Sequence, residues 1–368
     1  MQVIKILSFV IIIPIIFSGC YNMRAQEELG IAIGLGYDIE NQGVGYKYRD
    51  TLETFTFKGE RKIEHEVFSG RSKSIYSTAN ELQMKSNRKL ILGTEIVYLI
   101  GEERARYGIK DILDGQIRDP MRRVVASIAV SGEPAKDVYK MNPTSASTMA
   151  EQIRGILNFI CMDNFFPTNN EVSEVLKMYY QEGRKIVIPY MEAKEKRFQV
   201  SGLALFKEDK IIKKVSLDEA RLINILRNND GLGYLAINKP ERNEYYEAYF
   251  KNKNKLKVKV SKESNHLKYD IFVTLIGDLK VDTIDKNLIT KEEVKDIEKV
   301  FAEDLQKKLE IELEKMQKEY QTDWIDLGKY AAAKYGRQGN YDSDKAFCDA
   351  IIDTHVNVKI STIGQKKK

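Results

Sequence analysis

The stretch TKEEVKDIEKVFAEDLQKKLEIELEKMQKEY, residues 290–320, decides the fold class of the second half of the chain. Thr290 and Glu293 stand at the T-x-x-E spacing in which a hydroxyl takes the third residue's N–H and the carboxylate returns to the cap's own N–H. Behind them Val294, Ile297, Phe301, Leu305, Leu309, Leu313, Met316 and Tyr320 recur every three or four residues, the period of one helix face. About thirty residues at 1.5 Å each make a rod of about 45 Å. Its other face carries i, i+4 pairs such as Glu303 with Lys307. The stripe suits a coiled coil or a sheet, and the chain just before it offers a sheet. Leu256, Val258 and Val260 alternate with Lys255, Lys257 and Lys259, turn at Ser264-Asn265 and return through Tyr269, Ile271, Val273 and Leu275. That is an antiparallel hairpin with one solvated, lysine-rich face, and the helix is expected to pack across it. Residues 356–360 close the chain as a further strand.

Working back towards the N-terminus, Ser216 and Glu219 form a second capping box ahead of a helix to about Arg227, closed by Asn228, Asn229 and Gly231. Short strands are expected at residues 186–189, 198–206 and 211–215, and helices at 144–160 and 171–180. Residues 91–101 read as a buried strand bounded by glycines. Residues 102–117 read as one helix, with Ala105, Ile109, Ile112, Leu113 and Ile117 on one face, and 124–131 as a strand. Strand, helix, strand at this spacing is a crossover unit packed on a sheet. Residues 74–84 have helical spacing. Residues 29–38 and 46–58 alternate as strands. Gly34-Leu35-Gly36 lacks the third glycine of a phosphate loop, so a bulge or close backbone packing explains it. The fold class is α+β: mixed, largely antiparallel sheets with packed helices in two or three domains.

The chain has 368 residues and a net charge of +5, too balanced to argue for a nucleic-acid partner. Lys5 precedes a mostly apolar run over residues 6–17 and then Ser18, Gly19 and Cys20, the parts of a secretory signal. Phe17-Ser18-Gly19-Cys20 looks like the lipobox of bacterial lipoproteins, with Phe17 where Leu is usual. The resemblance implies a diacylglycerol thioether on the Cys20 sulfur, palmitate-type acyl chains, and cleavage between Gly19 and Cys20. A run of this length, broken by Pro14, falls short of the ~20 residues that cross a bilayer. Two acyl chains at roughly 0.8 kcal/mol per methylene hold stably where one is marginal. The body would be anchored to the membrane and would not span it. The segments expected are a signal peptide at 1–19, a lipidated tether at 20–28, an N-terminal region at 29–197 with room for two subdomains, and a C-terminal domain at 198–368. Cys161 and Cys348, far apart in sequence, read as separate thiols.

Enzyme signatures are weak. His65, His266 and His355 have no i, i+4 partner for a zinc helix. Ser86-Asn87-Arg88-Lys89 fits S-x-x-K, yet no K-T-G accompanies it. Asp342-Ser343-Asp344 lacks the glycine and final Glu of a calcium loop. The expectation is a protein that is not an enzyme, with no catalytic residue, metal or cofactor.

Taken together, these segments resemble the Ger(x)C, or GerAC-type, lipoprotein subunit of spore germinant receptors, over nearly the whole chain. The residues carrying the likeness begin with Cys20-Tyr21-Asn22, Glu28-Leu29 and residues 31–38. They continue through Gly101-Glu102-Glu103, residues 108–113 and Arg118-Asp119-Pro120. Further on come Ile188-Pro189, residues 201–207 with Asp209-Lys210, and Asp323-Trp324-Ile325-Asp326-Leu327-Gly328 with the strand through Gly364. Tyr21 stands where a Trp is usual and Thr94 where many members have His. A Trp common before the last strand is absent, with Phe347 nearby. The resemblance implies a lipoprotein on the outer surface of the inner spore membrane, assembled with two integral membrane subunits and acting in spore germination. The competing reading is an exported solute-binding or envelope-adaptor lipoprotein.

Overall fold

The computed structural model describes residues 26–41, 46–58, 62–119, 122–195, 197–227, 230–239, 244–251, 256–264, 266–282, 290–336, 338–341 and 343–363. Gly19 and Cys20, the leader, most of the tether, Asn228-Asn229 and the tip of the Ser264-Asn265 turn lie outside the described residues.

The first half builds one nine-stranded sheet. In chain order its elements are β1 (Leu29–Asn41), β2 (Tyr46–Lys58), β3 (Lys62–Ser72), α1 (Ile75–Lys85), β4 (Lys89–Ile91), β5 (Val97–Gly101), α2 (Glu102–Tyr107), α3 (Lys110–Arg118), β6 (Ser127–Ser131), α4 (Ala135–Val138), α5 (Met149–Phe159), α6 (Val172–Tyr180), β7 (Val187–Lys194), β8 (Arg197–Lys207) and β9 (Lys210–Ser216). The strand order is β3-β2-β1-β5-β6-β7-β8-β9, with β4 also beside β1. The centre is parallel from β1 through β7 and both flanks are antiparallel. β5 and β6 are buried at every position, as central parallel strands covered on both faces must be. On one face Val97, Leu99 and Ala129 meet Val138, Ile153 and Leu157 from α4 and α5. On the other, Tyr98, Ile100 and Val130 meet Ile109, Ile112 and Leu113.

Gly34 and Gly36 have their reason here. A register shift between Ala32 and Gly34 bulges β1, and a Cβ on Gly34 would stand 2.6 Å from the Tyr139 ring. Both expected causes, bulge and close packing, operate together.

The second half contains α7 (Leu217–Arg227), β10 (Leu232–Lys239), β11 (Glu244–Lys251), β12 (Lys257–Glu263), β13 (His266–Asp282), α8 (Lys291–Lys315), α9 (Gly328–Tyr335), α10 (Asp344–Cys348) and β14 (Ile351–Ile363). The sheet runs β10-β11-β13-β12, with β14 pairing β13 in parallel. The Thr290 capping box forms with both hydrogen bonds present, and a π-helical turn carries α8 on through Tyr320. Ile297, Phe301, Leu305, Leu309 and Leu313 are buried. Phe301 meets Phe250 of β11 edge-on at 5.3 Å. The helix packs on a sheet as expected, and it reaches beyond the hairpin to β11 and to β14, whose Ile360 N–H donates to Glu298 at 2.8 Å. The core of this half is continuous with one face of the first sheet, through Phe165, Leu203, Ile223 and Trp324.

Several local expectations are corrected. Residues 102–117 are two helices, because Gly108 adopts a φ of +134°, which ends α2 before α3 begins. The strand expected at 91–101 divides into β4 and β5, with Thr94 between them donating to the Ala32 carbonyl at 2.7 Å. The helix expected from 144 starts at Met149, where Thr148 is the N-cap. Glu303 pairs with Lys299, at 3.8 Å, in place of Lys307. β3, β10 and β11 carry no counterpart in the sequence reading.

Candidate functional site at the seam between the sheets

The turn after α8 closes the junction between the two halves. Trp324 is fully buried and its indole Nε1 donates to the Phe206 carbonyl of β8 at 2.9 Å. Asp323 accepts from the Gly328 N–H at 2.7 Å and the Ile325 N–H at 3.3 Å, which folds the turn back on itself. That places Asp326, held at a φ of +59°, opposite the first half. Its Oδ1 accepts from the Lys185 N–H at 3.1 Å and Arg227 Nη1 at 3.0 Å, and its Oδ2 accepts from Arg184 Nε at 3.2 Å. Lys329 Nζ lies 4.0 Å away. The Arg227 guanidinium also donates to the Trp324 and Lys185 carbonyls and to Met178 Sδ. One buried cation thus joins α6, α7, the 184–185 loop and the C-terminal turn.

Burial sets the electrostatics. It pushes the Asp323 carboxyl up to about 6 against the opposing Gly328 N–H, and it lowers the Arg227 pKa against the opposing pull of Asp326. Burial likewise lowers Lys329, which faces Asp326 as well as Arg227 and Arg184. A pair this dry is costly to break, since removing one partner leaves an uncompensated charge.

Beside the pair lies a cleft of about 220 Å³, lined by residues including Pro167, Met178, Arg184, Leu203 and Asn224. Asn224 is 3 % exposed, and its Nδ2 has no hydrogen-bond partner.

A second polar arrangement sits in the first sheet. Glu53 of β2 accepts from the Met149 and Ala150 N–H groups at 3.0 and 2.8 Å. Asp38 of β1 accepts from those of Ala135 and Lys136 at 2.8 and 3.0 Å. These strand carboxylates satisfy the free donors that open α5 and α4. Burial nonetheless raises Glu53 to about 7 and Asp38 to about 6.

Residues singled out in the sequence are dispersed. His65 is 3.9 Å from Glu53, and His355 stacks on Phe272 with Asp270 at 3.3 Å, while His266 begins β13. Ser86 ends α1 and Lys89 opens β4. Ser343 caps α10. Cys161 and Cys348 are free thiols. Among the described residues no group of His, Cys, Asp and Glu is placed to hold a metal, and no helix is long and apolar enough to cross a membrane. The sequence reading missed Arg184, Arg227 and Asn224. The available signal was Asn224 and Arg227 three apart on a helix otherwise apolar at Ile223, Ile225 and Leu226.

The family described as "Spore germination protein N-terminal domain" matches residues 22–193, and "Spore germination B3/ GerAC like, C-terminal" matches residues 201–364. The chain belongs to the Ger(x)C-type family of spore germination proteins. It is 21 % identical to spore germination protein GerQC of Bacillus cereus, over 96 % of this chain and 97 % of that protein. It is also 21 % identical to spore germination protein B3 of Bacillus subtilis (strain 168), over 94 % of each. The crystal structure of the GerBC protein superposes with a TM-score of 0.58 at 17 % identity, covering 90 % of this chain and 98 % of that one. That likeness fixes the fold. The two matched segments meet around the β7–β8 turn, within the nine-stranded sheet.

Proposed function

We propose that this protein is the lipid-anchored, non-enzymatic subunit of a nutrient germinant receptor in spores. It is tied to the outer surface of the inner spore membrane through diacylglycerol on Cys20 and assembled with two integral membrane subunits. The observation that carries this reading is the match of both family segments, in order, behind Phe17-Ser18-Gly19-Cys20. Only five residues separate Cys20 from the first described residue, Gln26, so at ~3.5 Å per residue the body would stay within roughly 20 Å of its acyl chains. The protein would act by anchoring and assembly. The polar seam is compatible with such a role, because Asp326 joins the two halves through Arg184, the Lys185 N–H and Arg227. The domain boundary near residue 197 belongs to the same proposal.

The test is fractionation and co-purification from detergent-solubilised spore membranes. Wild-type protein should sediment with membranes and recover two polytopic proteins, while Cys20→Ala should fold but appear in the soluble fraction. A Cys20→Ala protein that stays in the membrane without partners would sink the anchoring proposal. Recovery of the wild-type protein alone would favour the solute-binding or envelope-adaptor alternative.

A further inference from the structure

We propose that the cleft at the seam binds a small carboxylate-bearing molecule with a short apolar body, held by Asn224 and Arg184. The proposal is independent of lipidation and of receptor assembly. Three properties of the cleft set the ligand class.

The first is an unmet donor. Asn224 sits on α7 between buried residues, and its Nδ2 is buried without an acceptor. A buried amide donor in that state costs on the order of 1–3 kcal/mol, and natural cores rarely keep one unless something fills the place. The acceptor it lacks would come from whatever occupies the cleft that Asn224 lines.

The second is charge. Arg184, Arg227 and Lys329 surround the single carboxylate of Asp326 at 3.2, 3.0 and 4.0 Å. The remaining acidic groups are committed elsewhere. Glu174, which also lines the cleft, pairs with Lys177 at 2.5 Å, and Asp323 is turned inward onto the Gly328 N–H with its carboxyl raised by burial. The local balance is positive, and Arg184, whose Nε donates to Asp326 and whose Nη1 donates to Gln181 at 3.3 Å, keeps a side chain 23 % exposed beside the cleft, with Nη2 left to donate. A guanidinium and an amide donor lining one cleft are matched by a carboxylate.

The third is size and lining. About 220 Å³ lies below the ~300–1,000 Å³ of pockets for drug-sized ligands, and at roughly 30 Å³ per water it would otherwise hold a handful of waters. Pro167, Met178, Val187, Pro189 and Leu203 supply apolar walls. A short aliphatic chain fits them, while a larger or polyanionic ligand would meet apolar groups.

The experiment titrates the full chain in detergent micelles with butyrate and valerate, with butyramide as the neutral isostere, following saturation-transfer NMR and thermal shift. Saturable binding of the acids is expected, with butyramide at least about tenfold weaker and Asn224→Leu and Arg184→Gln each weakening the acids about tenfold. Near-UV circular dichroism reports the fold of both variants. Because Asn224→Leu removes a buried unmet donor, it should match or exceed the wild-type melting temperature, so lost binding reads as lost recognition. Failure of either acid to saturate the wild-type protein would overturn the proposal. So would binding that both variants retain, or butyramide binding as tightly as butyrate.

Discussion

The two sheets bury their strands by different means. In the nine-stranded sheet, β5 and β6 are covered on both faces and every residue is inside. In the five-stranded sheet, β13 alternates between buried and half-buried residues from Leu267 to Leu279, and α8 covers one face. The first sheet derives its order from a continuous apolar centre and the second from a single helix stripe. Between them lies the seam, where Asp326 of the second half accepts from Arg184 of the first, 142 positions away in the chain, and from Arg227 beside it. Stability should therefore respond differently at the three places.

The largest loss is expected at the seam. Asp326→Ala removes the carboxylate that neutralises Arg227 and leaves a buried cation unpaired, at a cost of about 3–5 kcal/mol; denaturant unfolding measures it. A cost below about 1 kcal/mol would mean that the Asp326 carboxylate contributes little to holding the halves together. Next comes Leu309, fully buried on α8. Leu309→Ala should cost about 2–5 kcal/mol, and Leu309→Asp more, with hydrogen exchange rising in the C-terminal sheet ahead of the N-terminal one. Unchanged exchange in β13 would place the stripe against something other than the sheet. In the N-terminal sheet, Gly34→Val drives a branched side chain into the Tyr139 ring and should cost about 1–3 kcal/mol. This loss should fall on the other half.

The pH dependence is smaller and its sign follows from burial. Asp38 and Asp323 are raised to about 6, and Asp50 and Glu53 to about 7. Each folded-state value lies above the ordinary carboxylate range near 4, so the native chain holds protons that the unfolded chain has released. That contribution is fully present below about pH 4 and is lost as the pH rises through 6 to 7. The melting temperature should fall by a few degrees between about pH 5 and pH 8, and a rise over this range would contradict the burial argument. The smallest effect is at the surface: Lys299→Ala, on an exposed pair with Glu303, should change stability by less than about 0.5 kcal/mol.

What could be read from the sequence follows the same division. β5 and α8 were legible because a continuous apolar run and a three-four stripe are local patterns. β10 and β11 were not, because Ile237, Tyr246, Ala248 and Phe250 point inward among exposed Tyr245, Asn238 and Lys251, a dilute alternation that only pairing with β13 makes meaningful. The break at Gly108 was hidden because the residues on either side keep the helical period, and only the backbone angle separates them. The seam depends on Arg227, Asp326 and Arg184 meeting across the fold, so no spacing in the chain could reveal it. Family likeness was legible for a different reason: the order of its segments along the chain, matched over residues 22–193 and 201–364, is itself a property of the sequence.

Intact-mass analysis of the mature product isolated from spore membranes tests the central claim most directly. The account predicts a chain beginning at Cys20 and carrying a diacylglycerol thioether. A free thiol at Cys20, or a chain retaining residues 1–19, would contradict it.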